Sequence, residues 1–174
     1  MSERHPSLFE GGPRGTSAES SELPITFITV GNRYRRDDGV GYEITKRLRA
    51  ENLPQAEFIE TSGEGAALLD MLIGRRHVFL FDAVCSGAPP GTIFRFEAHH
   101  QSLPSKFFNY STHAFSVAEA VELGRILNQL PEYLVIYGVE GQDFDAGAGL
   151  SKEVQPTVET IVSKVLVELH SLKL

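Results

Sequence analysis

Four large apolar residues in a row, Val78-Phe79-Leu80-Phe81, end abruptly at Asp82, and this run constrains the fold more than any other segment. A strand with one wet face alternates apolar and polar side chains, whereas a run without alternation is expected of a strand covered on both faces. Tyr133-Leu134-Val135-Ile136-Tyr137-Gly138-Val139 reads as a second buried strand. Ile25-Thr26-Phe27-Ile28-Thr29-Val30, β-branched and aromatic, reads as a strand ended by the turn Gly31-Asn32.

Helical patterns separate these runs. Gly39 to about Asn52 carries Val40, Ile44 and Leu48 at four-residue spacing, and Pro54 prevents its continuation. Glu57 to Thr61 is a short strand, followed by a short helix from Gly65 to Gly74 with Leu68, Leu69 and Leu72 inward. After Pro89-Pro90-Gly91, Thr92 to Glu97 reads as an edge strand, and Ala98 to Thr112 as a loop. A helix from about His113 to Leu130 turns Val117, Ala120, Val121 and Leu127 inward, with Gly124 on the same face. The final helix has Ser151 as its N-cap, with Pro156 delaying regular hydrogen bonding by about a turn. Val154, Val158, Ile161, Val165, Leu169 and Leu172 form its apolar stripe. Strand-helix alternation of this kind predicts an α/β fold: a mainly parallel, twisted five-stranded sheet between helices in three layers.

At 174 residues the chain suits one domain. Residues 1–24, rich in Gly, Ser, Pro and charge, are expected to be a mobile extension, and 25–174 the domain. No long apolar run suits a membrane span, and the N-terminus lacks the apolar core of a secretory signal. A single cysteine, Cys85, fits a reducing, cytoplasmic location. A formal charge of −7 argues against a nucleic acid or anionic membrane partner. No large surplus apolar stripe is visible, so a monomer is expected.

In sheets of this type ligands bind outside the carboxyl ends of the strands. Three segments qualify: the loop carrying Asp37 and Asp38, the end of the buried strand at Asp82, and Tyr110-Ser111-Thr112-His113. Of two adjacent carboxylates only one can cap the following helix. Asp82 follows four apolar residues, where a carboxylate is costly unless hydrogen-bonded, paired or bound to a metal. A turn-forming role for Asp82 and a role for His113 as an ordinary helix-start histidine are the structural alternatives. Together Asp38, Asp82 and His113 offer two oxygen donors and one nitrogen donor, a set suited to zinc, nickel or manganese. Three protein ligands leave positions open for water or substrate. Cys85 is a nucleophile only if a histidine lies nearby. The adjacent His99 and His100 suggest a metal tract, but neighbours in a loop rarely converge on one ion, and they read as surface; Arg33, Arg35 and Arg36 read as solvated loop arginines, with a substrate contact as the alternative. The nucleotide fingerprints G-x-G-x-x-G and G-x-x-x-x-G-K-[ST] are absent, as are H-E-x-x-H and G-x-S-x-G.

Val30-Gly31-Asn32, four residues, then Asp37-Asp38-Gly39-Val40-Gly41 resembles the opening signature of the hydrogenase maturation proteases. The resemblance continues through Phe81-Asp82-Ala83-Val84, Ala88 to Thr92, Ser111-Thr112-His113, Val135 to Glu140 and Gly149-Leu150-Ser151. It implies an endopeptidase that trims the C-terminus of a nickel-containing hydrogenase large-subunit precursor. It also implies that Asp38, Asp82 and His113 are the catalytic and metal-contacting residues, with Asp37 structural. Nickel would be carried by the substrate, and no nucleotide is implied. Relatives often have a Gly-Gly-Thr-type turn where this chain has Glu60-Thr61-Ser62-Gly63-Glu64-Gly65; Glu64 is thus either one more site carboxylate or a helix-start acid. A non-catalytic module sensing nickel loading, and a same-fold peptidase with another protein substrate, are the competing readings.

Overall fold

The structure is a computed structural model that describes residues 24–104 and 116–172. Its centre is one five-stranded sheet in the order β2-β1-β3-β5-β4. Strands β1 (Ile25–Val30), β2 (Ala56–Thr61), β3 (His77–Val84) and β5 (Tyr133–Glu140) run parallel, and β4 (Ile93–Glu97) pairs antiparallel with β5 at one edge. The expected α/β architecture is therefore present, with one antiparallel strand reached through the short Pro-Pro-Gly connection.

The uniform apolar run of β3 is explained by its place. It lies between β1 and β5, and every residue from Val78 to Val84 is buried. Alternate residues feed two cores. On one face Phe79, Phe81 and Ala83 join Phe27, Tyr137, α1 (Val40–Ala50) and α4 (Gln155–Ser171). On the other, Val78, Leu80 and Val84 join Ile28, Ile136, α2 (Gly65–Leu72) and α3 (Val117–Ile126). Among the described residues, no helix is long and apolar enough to cross a membrane.

Helix boundaries differ from the sequence expectation where side chains compete for the same backbone groups. α3 begins at Val117, four residues after His113, because Ser116 and Glu119 form a reciprocal capping box. It ends at Ile126, leaving Leu127 49% exposed rather than inward. Ser151 does not cap α4, which starts at Gln155 with Pro156 in its first turn; the Ser151 hydroxyl has a different acceptor, described below.

Far from the carboxyl ends of the strands, α4 is tied to the sheet through Glu168. Its carboxylate accepts a two-pronged contact from Arg95 of β4 at 2.9 Å each, and the hydroxyls of Tyr133 and Tyr137 of β5 donate to it. Burial acts to raise the Glu168 pKa, but the hydrogen bonds from Arg95, Tyr137 and Tyr133 outweigh it and hold the carboxyl below its ordinary 4.5. The same neighbourhood pushes the Tyr133 phenol up to about 12 through burial and its bond to Glu168. A carboxyl whose folded pKa is lowered contributes stability above its unfolded pKa and loses it as pH falls through the folded value. Glu168→Gln is therefore expected to cost about 1–3 kcal/mol at pH 7. In urea melts from pH 7 to pH 2, the deficit against wild type should shrink once pH falls below the ordinary glutamate range.

Candidate functional site

The order β2-β1-β3 makes the chain reverse its winding between β1 and β3, and the crevice opens beyond their carboxyl ends. The loop after β1 and the end of strand β3, which meet there, both carry carboxylates. After β1, a turn of 3-10 helix (Arg36–Gly39) presents Asp37 and Asp38 in opposite environments.

Asp37 is fully buried and satisfied. It accepts hydrogen bonds from the backbone N–H groups of Gln142 (2.8 Å), Asp143 (2.9 Å) and Ser151 (2.7 Å), and from the Ser151 hydroxyl (2.7 Å). Its own N–H donates to the Asp143 carbonyl at 3.0 Å. Burial acts to raise its pKa, but these donors win and keep the carboxyl below its ordinary range. Asp37 thus fastens the β1–α1 loop to the β5–α4 loop, and Ser151 spends its hydroxyl here instead of on a helix cap.

Asp38 is half-buried and lightly held, accepting one N–H, from Asn32 at 3.0 Å. Burial raises its pKa against the opposing pull of Asn32 and the Arg35 charge. Its position depends on two glycines of the same loop. Gly31 takes φ +121°, and a Cβ there would lie 2.2 Å from the Asp38 carbonyl oxygen. At Gly41, a Cβ would lie 2.8 Å from the Phe81 carbonyl oxygen and 3.0 Å from Thr29. The start of α1 therefore rests directly on the end of β3, one residue before Asp82. Thr29 fixes the contact from β1, its hydroxyl within 3.2 Å of the Gly41 carbonyl and 3.0 Å of Thr45 Oγ1.

Asp82 is 8% exposed and lies opposite Gly138 of β5, which has no side chain. Burial raises its pKa well above the ordinary carboxylate value, the charge on Asp38 raises it further, and the Ala83 N–H opposes. The two carboxylates are thus electrostatically coupled, one buried and one half-open. A pair of this kind favours retention of a proton on the buried member or attracts a cation.

His113 lies outside the described residues. The chain resumes at the buried Ser116 N-cap, and Val117 and Ala118 pack with Val30, Leu80 and Val84. By strand alternation Asp82 lies on that same face.

Other candidates are sorted by their contacts. Cys85 is exposed one residue beyond β3. Glu64 is exposed at the start of α2, and its side chain does not cap the helix. Arg35 and Arg36 are not simply solvated: Arg35 donates to the Phe144 carbonyl at 3.1 Å, and Arg36 pairs with Asp143 at 3.2 Å. Arg33 stacks on Tyr34 and Tyr42, 5.4 and 4.9 Å from their ring centres. Sequence reading missed Tyr42, Glu60 and Ser62, which line a 150 Å³ cleft with Asp38, Asn32 and Thr29. The signal for Glu60 is the parallel register, which pairs it with Thr29 and so puts both side chains on one face. A groove of 840 Å³ shares Arg33, Tyr34 and Tyr42 with that cleft and runs on past Leu150, Pro156 and Val158. Glu140 closes the far side of the β3 turn, accepting the N–H groups of Ser86 and Gly87 and the Ser86 hydroxyl.

Comparison with known proteins places this geometry in context. The profile of a family described as hydrogenase maturation protease matches residues 40–168. A protein of Methanocaldococcus jannaschii that carries the family's name is 32% identical over 151 residues, covering 83% of this chain and 96% of that one. A hydrogenase expression/formation protein of Cupriavidus necator is 28% identical over 145 residues, 80% of this chain and 71% of its own. Among solved structures, the solution structure of an endopeptidase from Escherichia coli superposes with a TM-score of 0.73 at 25% identity, covering 86% of this chain and 93% of that one. The hydrogenase maturating endopeptidase HybD from Escherichia coli gives 0.68 at 23% identity, with 86% and 93% covered.

Two substitutions separate the structural carboxylate Asp37 from the buried Asp82. Asp37→Ala, which strands three backbone donors, is expected to cost about 3 kcal/mol or more, read as a fall in the urea midpoint. Asp82→Asn is expected to do the reverse. A carboxyl whose folded pKa is raised stabilises the fold only below its unfolded pKa and loses that contribution as pH rises through the folded value. The Tm of Asp82→Asn should therefore exceed that of wild type at pH 8 and match it near pH 3.

Proposed function

This chain belongs to the hydrogenase maturation protease family, and from that premise we propose that it removes the C-terminal extension of a nickel-loaded hydrogenase large-subunit precursor. The observation that carries the reading is the coupled pair Asp38 and Asp82 at the switch point of the sheet. An ionised Asp82 beside Asp38 is costly in a crevice of its own, and a divalent cation between them relieves both burial and repulsion. In this reading the ion arrives with the precursor and is part of what is recognised, so an unloaded precursor leaves the pair repelling and the chain unengaged. The family resemblance adds His113 to this set, where its imidazole would supply a nitrogen donor, for which nickel has good affinity.

A metal at this position supplies Lewis acidity to the scissile carbonyl. The protein's own contribution is orientation and proton transfer. Asp38 lines the cleft, is held by one N–H only, and has lone pairs available; it serves as the base toward the attacking water. Asp82, buried and raised in pKa, sets the charge state of the pair. Asp37 keeps the Asp38 loop from retreating when the two carboxylates repel. The groove that leads from the cleft, with Arg33 between two tyrosines and Tyr34 68% exposed, suits an extended peptide segment.

The test is co-expression with a large-subunit precursor under nickel-replete conditions and measurement of the subunit's intact mass. Wild type should release a C-terminal peptide. Asp38→Asn should slow release by about 10²-fold or more while remaining folded, and nickel depletion should abolish it. Unprocessed subunit with nickel insertion verified, across each precursor tried, would instead favour a protein that reports metal loading without cutting.

A further inference from the structure

Two histidines next to each other on an extended chain point to opposite sides, but His99 and His100 do not lie on an extended chain. Directly after β4 the backbone coils, the N–H groups of His100 and Gln101 both donating to the Glu97 carbonyl at 2.9 and 3.0 Å. The coil brings the two imidazole rings to 4.1 Å between centres. It also brings a donor atom from each of Glu97, His99 and His100 within 4.8 Å of one another.

The surroundings hold this arrangement. Arg125 of α3 reaches across and donates to the carbonyls of Ala98, His99 and Gln101. The Ala98 N–H donates to the Leu134 carbonyl at 2.8 Å, which fixes the coil to β5. His99 Nδ1 lies 3.1 Å from that same carbonyl, to which it donates in one tautomer, and 3.2 Å from the Leu134 N–H, from which it accepts in the other. In the tautomer that donates Nδ1–H to the carbonyl, Nε2 keeps its lone pair, which is how metal-bound histidines are usually oriented. Glu97 accepts from Arg95 through Oε1 at 2.8 Å, which leaves Oε2 for another partner. The hydrogen bond and charge of Arg95 hold the Glu97 carboxyl below its ordinary range, with His99 and His100 adding to the effect.

We propose that Glu97, His99 and His100 form a surface site for a divalent first-row transition ion of the zinc and nickel class, separate from the carboxylate crevice. Two imidazole nitrogens and one carboxylate oxygen favour such ions over magnesium or calcium. His100 is exposed. Its rotation shortens the donor separations toward the roughly 3.4 Å edge of a tetrahedron with bonds of about 2.1 Å. Arg95 and Arg125 oppose the ion's charge, so affinity is limited. The site lies at the start of β5, beside Leu134, whereas Asp82 pairs with Gly138. Four residues of strand, about 13 Å, separate those two rungs, so one ion cannot serve both sites. A metal count on this protein would then exceed what the crevice holds.

The proposal does not depend on the reading of the crevice, and its test silences the crevice first. Full-length Asp38→Asn/Asp82→Asn protein is titrated with zinc alone against a chromogenic chelator, with and without His100→Ala and His99→Gln. Binding should persist in the double aspartate variant and weaken by about tenfold or more with either histidine change. Nitrogen-correlated NMR of the imidazoles should show the His99 and His100 rings shifting on zinc addition, and circular dichroism should show each variant folded. Undiminished affinity without His100, zinc binding with both rings unmoved, or no binding up to millimolar zinc overturns it.

Discussion

The geometry of the crevice rests on one buried carboxylate. Asp37 gathers three backbone N–H groups and a hydroxyl from the β5–α4 loop and so joins two loops that leave the sheet from strands not adjacent to each other. Each of those loops alone is a surface connection with polar backbone and few apolar contacts, the kind of segment that moves. Fastened to each other, they become a rigid rim. Arg35 and Arg36 add to the same seam through Phe144 and Asp143. Asp38 inherits its position from this seam without having to make strong bonds of its own, and that leaves its oxygens available for chemistry.

The pair formed by Asp38 and Asp82 shows the opposite economy. Nothing in the fold requires a carboxylate at the end of β3, and its burial beside another carboxylate raises its pKa well above the usual range. Local destabilisation of this sort is typical of groups retained for reaction rather than for folding. The sheet absorbs it because the surrounding strands are packed on both faces and because Gly41 and Gly138 leave room where side chains would otherwise stand.

Much of this was legible in the residues. The uninterrupted run Val78–Phe81 required a strand covered twice, and the alternation of elements required the parallel sheet. The Gly31-to-Gly41 signature carried its own explanation, since its glycines sit where a Cβ would collide with backbone. Other features were invisible because they depend on partners distant in sequence. Ser151 has the right residue type and place for an N-cap, yet Asp37, 114 residues earlier, takes its hydroxyl. The start of α3 was misplaced because the capping box at Ser116 outweighed the apolar periodicity. Tyr42, Glu60 and Ser62 look like ordinary surface residues until strand register lines them up beside Asp38. His99 and His100 suggest a metal tract by type but read as surface, since neighbours in a loop rarely converge on one ion; their meeting depends on how the chain coils after β4.

The two margins of the sheet have a consequence for behaviour at high concentration. An open strand edge presents unpaired backbone groups that invite another chain to add a strand. Here β2 carries Glu57 locked to Arg75 and Glu60 facing Arg49, while β4 carries Arg95 bound to Glu97 and Glu168. A foreign strand could align with either margin only by stripping water from these ion pairs or prising them apart. Among the described residues the sheet therefore offers its neighbours no uncharged border, and crowding should favour dispersal over stacking through these edges into fibres.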